Sequence, residues 1–426
     1  MLIPRKMDKA EFIKSLDGVK VVLGNGFDLC CGLHTKYSDY YCKHWKKYVY
    51  LRKLYKSFIN FGPEIDKEDE KLKDVNVWDA FFVANSSDNP KENAEDWCDI
   101  EELIKDSLYD SEKEKDTAAF FRTMLNNTSS VNWHMVRKIY GLSGEYERSA
   151  QGFVAFFVKF KMDQLKWTRG GFFEFLLVQL KEFEKDFGKF VYQQIHLERI
   201  EQIRFGIEIP NDLYISKAKY VLNQLCNLDT ASIDTFNYSS IEDDLILSKL
   251  NHINGSWEEP IFGIDTFLQP DKAEYIFTKT NRRMESDIKD IDYHEKADFK
   301  HLVIFGHSLN EADYSYFFPI FDKLRVLESN AQGLLIFAYY VWDKSKEEEI
   351  TSNLRSKISK MIYKYAEESG VKNPNRFLDT LSTRGRIVIC EIEDFPNSLK
   401  HFKNTLDAEW EQIYKEVNSL EEIESI

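Results

Sequence analysis

VKVVLGNGFDLCCGLHTKYSDYY, residues Val19 to Tyr41, decides how this chain is read. Val19, Val21, Val22 and Leu23 form a short apolar, mostly β-branched run, the composition required of a strand buried on both faces. The run stops at Gly24-Asn25-Gly26, where glycine permits positive φ and a close approach of backbone to ligand. Phe27-Asp28-Leu29 then opens a helix. A strand, a tight turn and a helix start point backbone amides at one spot and favour an anion there. The same residues also read as a plain connecting turn, because G-x-G lacks the third glycine of the dinucleotide fingerprint.

The composition narrows the class of protein. The 426 residues are 43% hydrophobic, enough for one large core or two. Lys plus Arg number 57 against 72 Asp plus Glu, a net charge of −15. That balance disfavours sequence-independent attachment to nucleic acid or to an anionic membrane, since the phosphate-neutralising term has the wrong sign. Cys30, Cys31, Cys42, Cys98, Cys226 and Cys390 show neither C-x-x-C spacing nor histidines at metal-ligand offsets. They read as reduced thiols of a cytoplasmic protein. Neither the N-terminus nor any later stretch is long and apolar enough for a signal peptide or a membrane span.

From Cys42 to about Tyr220 the chain is charged and aromatic with helical periodicity, and convincing strands are absent. HWKKYVYLRKLYKSFINF and WCDIEELIKDSLYD read as amphipathic helices, and the stretch from Gly171 to Ile203 as one long helix or a pair. Gly62-Pro63 and Gly170-Gly171 mark turns. A block this long is an inserted helical subdomain and not a simple crossover. Strand signals return at TASIDTF, LNHI, KHLVIFG, GLLIFAYYV and RIVICEI, with helical stretches at 313–327 and 344–368 between the later ones. The expected fold is α/β: a Rossmann-like, mostly parallel sheet of about six strands built from 1–41 and 221–426, with 42–220 inserted.

Polar or glycine-rich residues follow four of the strand ends: Gly24-Asn25-Gly26, Asn237-Tyr238-Ser239, Asn254-Gly255-Ser256 and Gly306-His307-Ser308. In an open parallel sheet such tips line one crevice, and ligands bind there. Read singly, each has an ordinary structural role. Asp28 suits a helix cap, Asn237 a turn, Ser256 a cap, and His307 a satisfied core imidazole. Trp97, Asp99 and Glu101 read as fixing the helical subdomain.

GNGFDLCCGLHTKYSDYY, WCDIE, the FNYS of 236–239, the NGS of 254–256 and the FGHSLNEADYS of 305–315 together resemble the bacteriophage abortive-infection AbiH family. More distantly, the set is similar to the sirtuin-like Rossmann domains of bacterial antiphage effectors that surround NAD. The resemblance implies that Gly24, Asn25 and Gly26 hold the pyrophosphate and that Phe27 and Asp28 line the ribose. It implies that Asn237 positions water at the nicotinamide ribose and that Gly255 and Ser256 belong to the turn beside the catalytic position. It further implies that His307, Ser308 and Asp313 close the adenosine side. No metal ligands and no cofactor beyond NAD as substrate are implied.

One departure matters. The relatives carry His directly before Gly in the third motif, where this chain has Asn254. Asn is no general base near neutral pH. Either the chain as written is inactive, the reading favoured here, or His252 or His307 takes the role. Three functions stay open at this point: NAD hydrolysis, with Asp28 stabilising the cationic sugar; a sensor holding NAD or ADP-ribose without chemistry; and a metal-dependent nuclease using Asp28, His307 and Asp313. The last is disfavoured by the missing ligand spacing and the acidic charge. The helical insert is large enough to carry a surface for self-association or for a co-encoded defence partner.

Overall fold

The computed structural model describes residues 9–61, 70–85, 101, 104, 150–167, 171–205, 213–241, 243–264, 273–285, 299–396, 399, 412, 413 and 415. Six strands form one sheet: β1 (Val19–Leu23), β2 (Ser232–Thr235), β3 (Leu250–His252), β4 (His301–Phe305), β5 (Leu335–Tyr339) and β6 (Ile387–Glu391). Their order is 3-2-1-4-5-6 and every neighbouring pair is parallel. This is the doubly wound order of Rossmann sheets, and its direction reverses between β1 and β4. The expected α/β class and strand number are found.

Burial explains the apolar runs. Every residue of β1 and β2 is buried, whereas the edge strands β3 and β6 are only partly covered. Central parallel strands have helices on both faces and so must be apolar throughout. Lys20 breaks that rule. It is 1% exposed and pairs with Asp234 of β2 at 2.6 Å. Tyr316 and Asn251 also donate to the Asp234 carboxylate. Burial lowers the Lys20 pKa and the facing carboxylate opposes it.

The chain forms two compact units: 1–35, 191–258 and 287–406, which carry the sheet, and 36–190, 259–286 and 407–426. In chain order the helices are α1 (Lys9–Lys14), α2 (Asn25–Cys30), α3 (Tyr37–Lys43), α4 (Trp45–Phe61), α5 (Val77–Asn85), α6 (Ala150–Gln164) and α7 (Phe172–Phe205). There follow α8 (Leu213–Leu225), α9 (Asp244–Leu247), α10 (Lys279–Glu285), α11 (Tyr314–Lys323), α12 (Glu347–Glu368) and α13 (Pro374–Thr383). The Gly171–Ile203 stretch falls within the single helix α7. Most of WCDIEELIKDSLYD, including Trp97 and Asp99, lies outside the described residues, as does the Gly62-Pro63 turn.

In the sheet unit, Val22, Ile304 and Phe337 meet Phe317 and Phe321 of α11 and Met361, Ile362 and Tyr365 of α12. Large buried aromatics on those helices give one face its core. α13 shows why its residues stop and start where they do. Asn373 accepts from the Arg376 amide, Pro374 fills the first turn, and Gly385 at φ 65° ends the connection into β6.

The helical unit is held by buried charge as well as rings. Arg282 grips Glu184 through both nitrogens, at 2.5 and 2.7 Å. Asp79 accepts from Lys47, Tyr48 and the Asn76 amide. Glu101 pairs with Lys279 at 2.7 Å.

Candidate functional site

The tips of β1 and β4 meet backbone to backbone at the point where the strand order reverses. Gly24 N donates to Phe305 O at 3.0 Å and Gly26 N to Gly306 O at 2.8 Å. A Cβ on Gly24 would lie 2.4 Å from the His307 Cα, and one on Gly26 2.7 Å from the Gly306 Cα. No side chain fits in either place. The glycines are thus required by contact with a neighbouring strand and not by positive φ, since Gly24 is extended at φ −114°. The left-handed residue is Gly306, at φ 68°, where a Cβ would stand 2.4 Å from Phe27 N. Sequence reading noted a missing third glycine; Gly306 approaches the turn from the other side of the switch point. Phe27 N bonds back to Gly24 O at 2.9 Å, so three of the turn's amides donate to protein carbonyls.

Asp28 of α2 is the chemical centre of the β1 tip. It is 1% exposed and ringed by hydroxyls. Ser239 Oγ lies 2.7 Å from each carboxylate oxygen. Tyr214 OH lies 3.3 Å from Oδ1 and 3.3 Å from Ser239 Oγ. Thr35 Oγ1 donates to Asn25 Oδ1 at 2.7 Å and approaches Asp28 Oδ2 at 3.4 Å. Burial raises the Asp28 pKa to about 6, and hydrogen bonding from Ser239 and the other polar neighbours restrains the rise. Asp28 does not cap its helix, and its bonding partners are side-chain hydroxyls. Thr35 and Ser239 lay within the quoted motifs without an assigned role. Tyr214, in an ordinary amphipathic helix, gave no signal.

Asn237 follows β2 and is 5% exposed. Its carboxamide lies near enough to Asp28 to help hold that carboxyl down, yet neither its Oδ1 nor its Nδ2 reaches a hydrogen-bond partner. A buried carboxamide whose interaction with Asp28 falls short of full hydrogen-bond geometry has bonding capacity left over for a ligand or water. Its backbone oxygen accepts from His252 Nδ1 at 3.1 Å, which ties the tips of β2 and β3 together. That bond fixes the proton on Nδ1 and leaves the lone pair on Nε2, 3.5 Å from Ser240 Oγ. Burial lowers the His252 pKa, so the ring is neutral at neutral pH.

Asn254 is 5% exposed, and Gly255 turns at φ 79°. Ser256 Oγ accepts from the Glu258 amide at 3.3 Å. His307 has the opposite tautomer to His252. Its Nδ1 accepts from Leu309 N at 2.9 Å, and Nε2 faces Asp313 Oδ2 at 3.5 Å. Its ring packs against Phe236 and Phe317. Ser308 is exposed. Asp28, Asn237 and Ser239 therefore form one cluster, while His307 and Asp313 form a second at the β4 tip.

A separate cavity of about 530 Å³ lies in the helical unit, lined by Tyr40, Lys47, Asp79, Lys161, Gln179 and Asp186 among others. Its deepest charges are spent on protein: Lys161 donates to Leu72 O, Lys73 O and Gln164, and Asp79 takes three donors. Among the described residues no three His, Cys, Asp or Glu side chains group as a metal site, and no helix is long and apolar enough to cross a membrane.

A doubly wound parallel sheet with polar groups gathered at the switch-point edge defines an α/β protein of Rossmann-like architecture. Residues 21–333, more than half of the chain, match the family described as bacteriophage abortive infection AbiH. The chain belongs to that family, and its role is antiphage abortive infection. Neither the curated proteins nor the solved structures contain a match to it.

Proposed function

We propose that the protein binds NAD along the carboxyl edge of the sheet and that the active form hydrolyses the nicotinamide–ribose bond. The observation that carries this reading is the pairing of a buried, hydroxyl-ringed Asp28 with the unsatisfied carboxamide of Asn237. Breaking the bond leaves positive charge on the ribose, and a carboxylate in a dry site stabilises that charge far more than one in water. The pyridinium takes the bonding electrons and leaves as nicotinamide. Water adds to the sugar carbon, and its proton passes to a base, giving ADP-ribose. Asn237 has the donor and acceptor needed to orient that water. His252, with its lone pair on Nε2, is the better base of the two histidines. His307 has its Nδ1 lone pair occupied by Leu309 N.

Asn254 favours a second reading. It stands where similar antiphage domains carry His and cannot accept a proton at neutral pH, which fits a protein that holds NAD or ADP-ribose and signals occupancy without turnover. One experiment separates the two. The protein and Asn254→His are incubated with NAD, binding is followed by calorimetry and nicotinamide release by chromatography. Binding by both with release only by the histidine variant supports an NAD site whose present form is a sensor. Release by the unaltered protein, abolished by His252→Ala, supports His252 as base. Absence of NAD binding by either protein overturns the proposal.

A further inference from the structure

Beside the polar cluster, the edge of the sheet carries an aromatic group for which the hydrolysis chemistry has no use. Trp257 lies three residues beyond Asn254, past the tip of the edge strand β3. Tyr192 and His196 sit one turn apart on α7, in the part that belongs to the sheet unit. The Tyr192 and Trp257 ring centroids are 4.5 Å apart and tilted by 48°; those of Tyr192 and His196 are 4.2 Å apart. His196 stands edge-on to Trp257 at 6.5 Å. Such a group in a core would be covered, but Tyr192 is 37% exposed and Trp257 only half-buried.

The strand next to it carries the group on which the nucleotide reading rests. Asn237 on the β2 tip keeps both ends of a buried carboxamide unsatisfied, and His252 joins that tip to β3. β2 and β3 pair in parallel with Thr235 opposite His252, so Asn237 and Trp257 both follow the carboxyl ends of neighbouring strands. A nucleotide held at its ribose needs, beside that point, a face for its planar base to stack on.

Resting on the nucleotide reading above, we infer that Trp257, backed by Tyr192, is the stacking wall for a base of the bound nucleotide. His196 supports the pair from beneath and does not contact the ring. Stacking of a base on an aromatic side chain is worth about 5- to 150-fold in affinity when the aromatic is removed.

The test is calorimetric titration of the full chain with NAD, AMP and nicotinamide mononucleotide, alongside Trp257→Phe, Trp257→Leu and Trp257→Ala. Leucine fills most of the space without a π face and phenylalanine keeps one, so the series separates stacking from packing. The expected result is a loss of more than 5-fold in NAD affinity for the Leu and Ala variants and a smaller loss for Phe, with melting temperature retained by Leu and Phe. The fragment weakened alongside NAD identifies the stacked ring as adenine or pyridine. Equal NAD affinity of the unaltered protein and folded Trp257→Leu overturns the stacking wall and leaves the nucleotide site standing. Failure of the unaltered protein to bind any of the three overturns the site and the wall together.

Discussion

Replacing Asp28 by Asn should make this protein more stable, and only above mild acid. Burial lifts the Asp28 pKa from 3.8 to about 6, so the folded state disfavours its ionised form. The folded protein therefore holds this proton more tightly than the unfolded chain does. Stability from this group is fully present below pH 4, is lost as pH rises between about 4 and 6, and stays lost above. At about 1.4 kcal/mol per pKa unit, the ionised carboxylate costs about 3 kcal/mol at pH 8. Asn resembles the protonated acid, keeps an acceptor for Ser239, and does not titrate. Asp28→Asn is thus expected to gain about 3 kcal/mol at pH 8 and roughly half a kcal/mol at pH 4. For a domain the size of the sheet unit that corresponds to about 6 to 12 °C in melting temperature at pH 8. Thermal denaturation followed by circular dichroism at both pH values measures the difference. Other titrating groups are common to the two proteins and cancel. A variant no more stable than the parent at pH 8, or one with the same gain at pH 4, would refute the account of Asp28 as a destabilised charge kept for function.

Further outcomes follow from the same geometry. Asn237→Leu removes the carboxamide that faces Asp28 and is expected to abolish the thermal shift produced by NAD, as one melting series with and without ligand will measure. Gly306→Ala forces a Cβ to 2.4 Å from Phe27 N at φ 68°, and the expected result is insoluble protein. Gly370→Ala, at φ 74° in open space, is expected to cost only about 1 kcal/mol in urea denaturation. Lys20→Met leaves the Asp234 carboxylate buried without its cation and is expected to cost about 3 to 5 kcal/mol. Lys20→Met with Asp234→Asn should recover much of that, as a double-mutant cycle in urea will measure.

The strands could be read locally because each central one is covered on both faces and so carries an uninterrupted apolar run. Val19–Leu23 and His301–Phe305 announce themselves for that reason. The exception, Lys20, was visible as a charge inside such a run, but its partner Asp234 is 214 residues further on (234 − 20). The strand order was beyond sequence reading, since the strand tips share similar residues. The glycine turn is legible at the right residues, but for a different reason. What requires Gly24 and Gly26 is the backbone of Gly306 and His307, a contact that no local rule encodes. Asp28 and Asn237 were singled out by position at strand ends. The hydroxyls that tune Asp28 were not, because Thr35 and Tyr214 belong to stretches that look like any other turn and helix.

The long excursion between the first two strands has a consequence for synthesis. β1 lies between β2 and β4, and the glycine turn closes only against Gly306. A ribosome working at about 5 to 20 residues per second needs roughly 15 to 60 s to go from residue 24 to residue 306. Throughout that interval the Gly24 and Gly26 amides lack their acceptors, Phe305 O and Gly306 O, although β2 and the hydroxyls around Asp28 are made before it ends. A message cut short just before that glycine yields β1, β2 and β3 without the β4 side of the switch point, so any function that needs both sides waits until residue 306 has been translated.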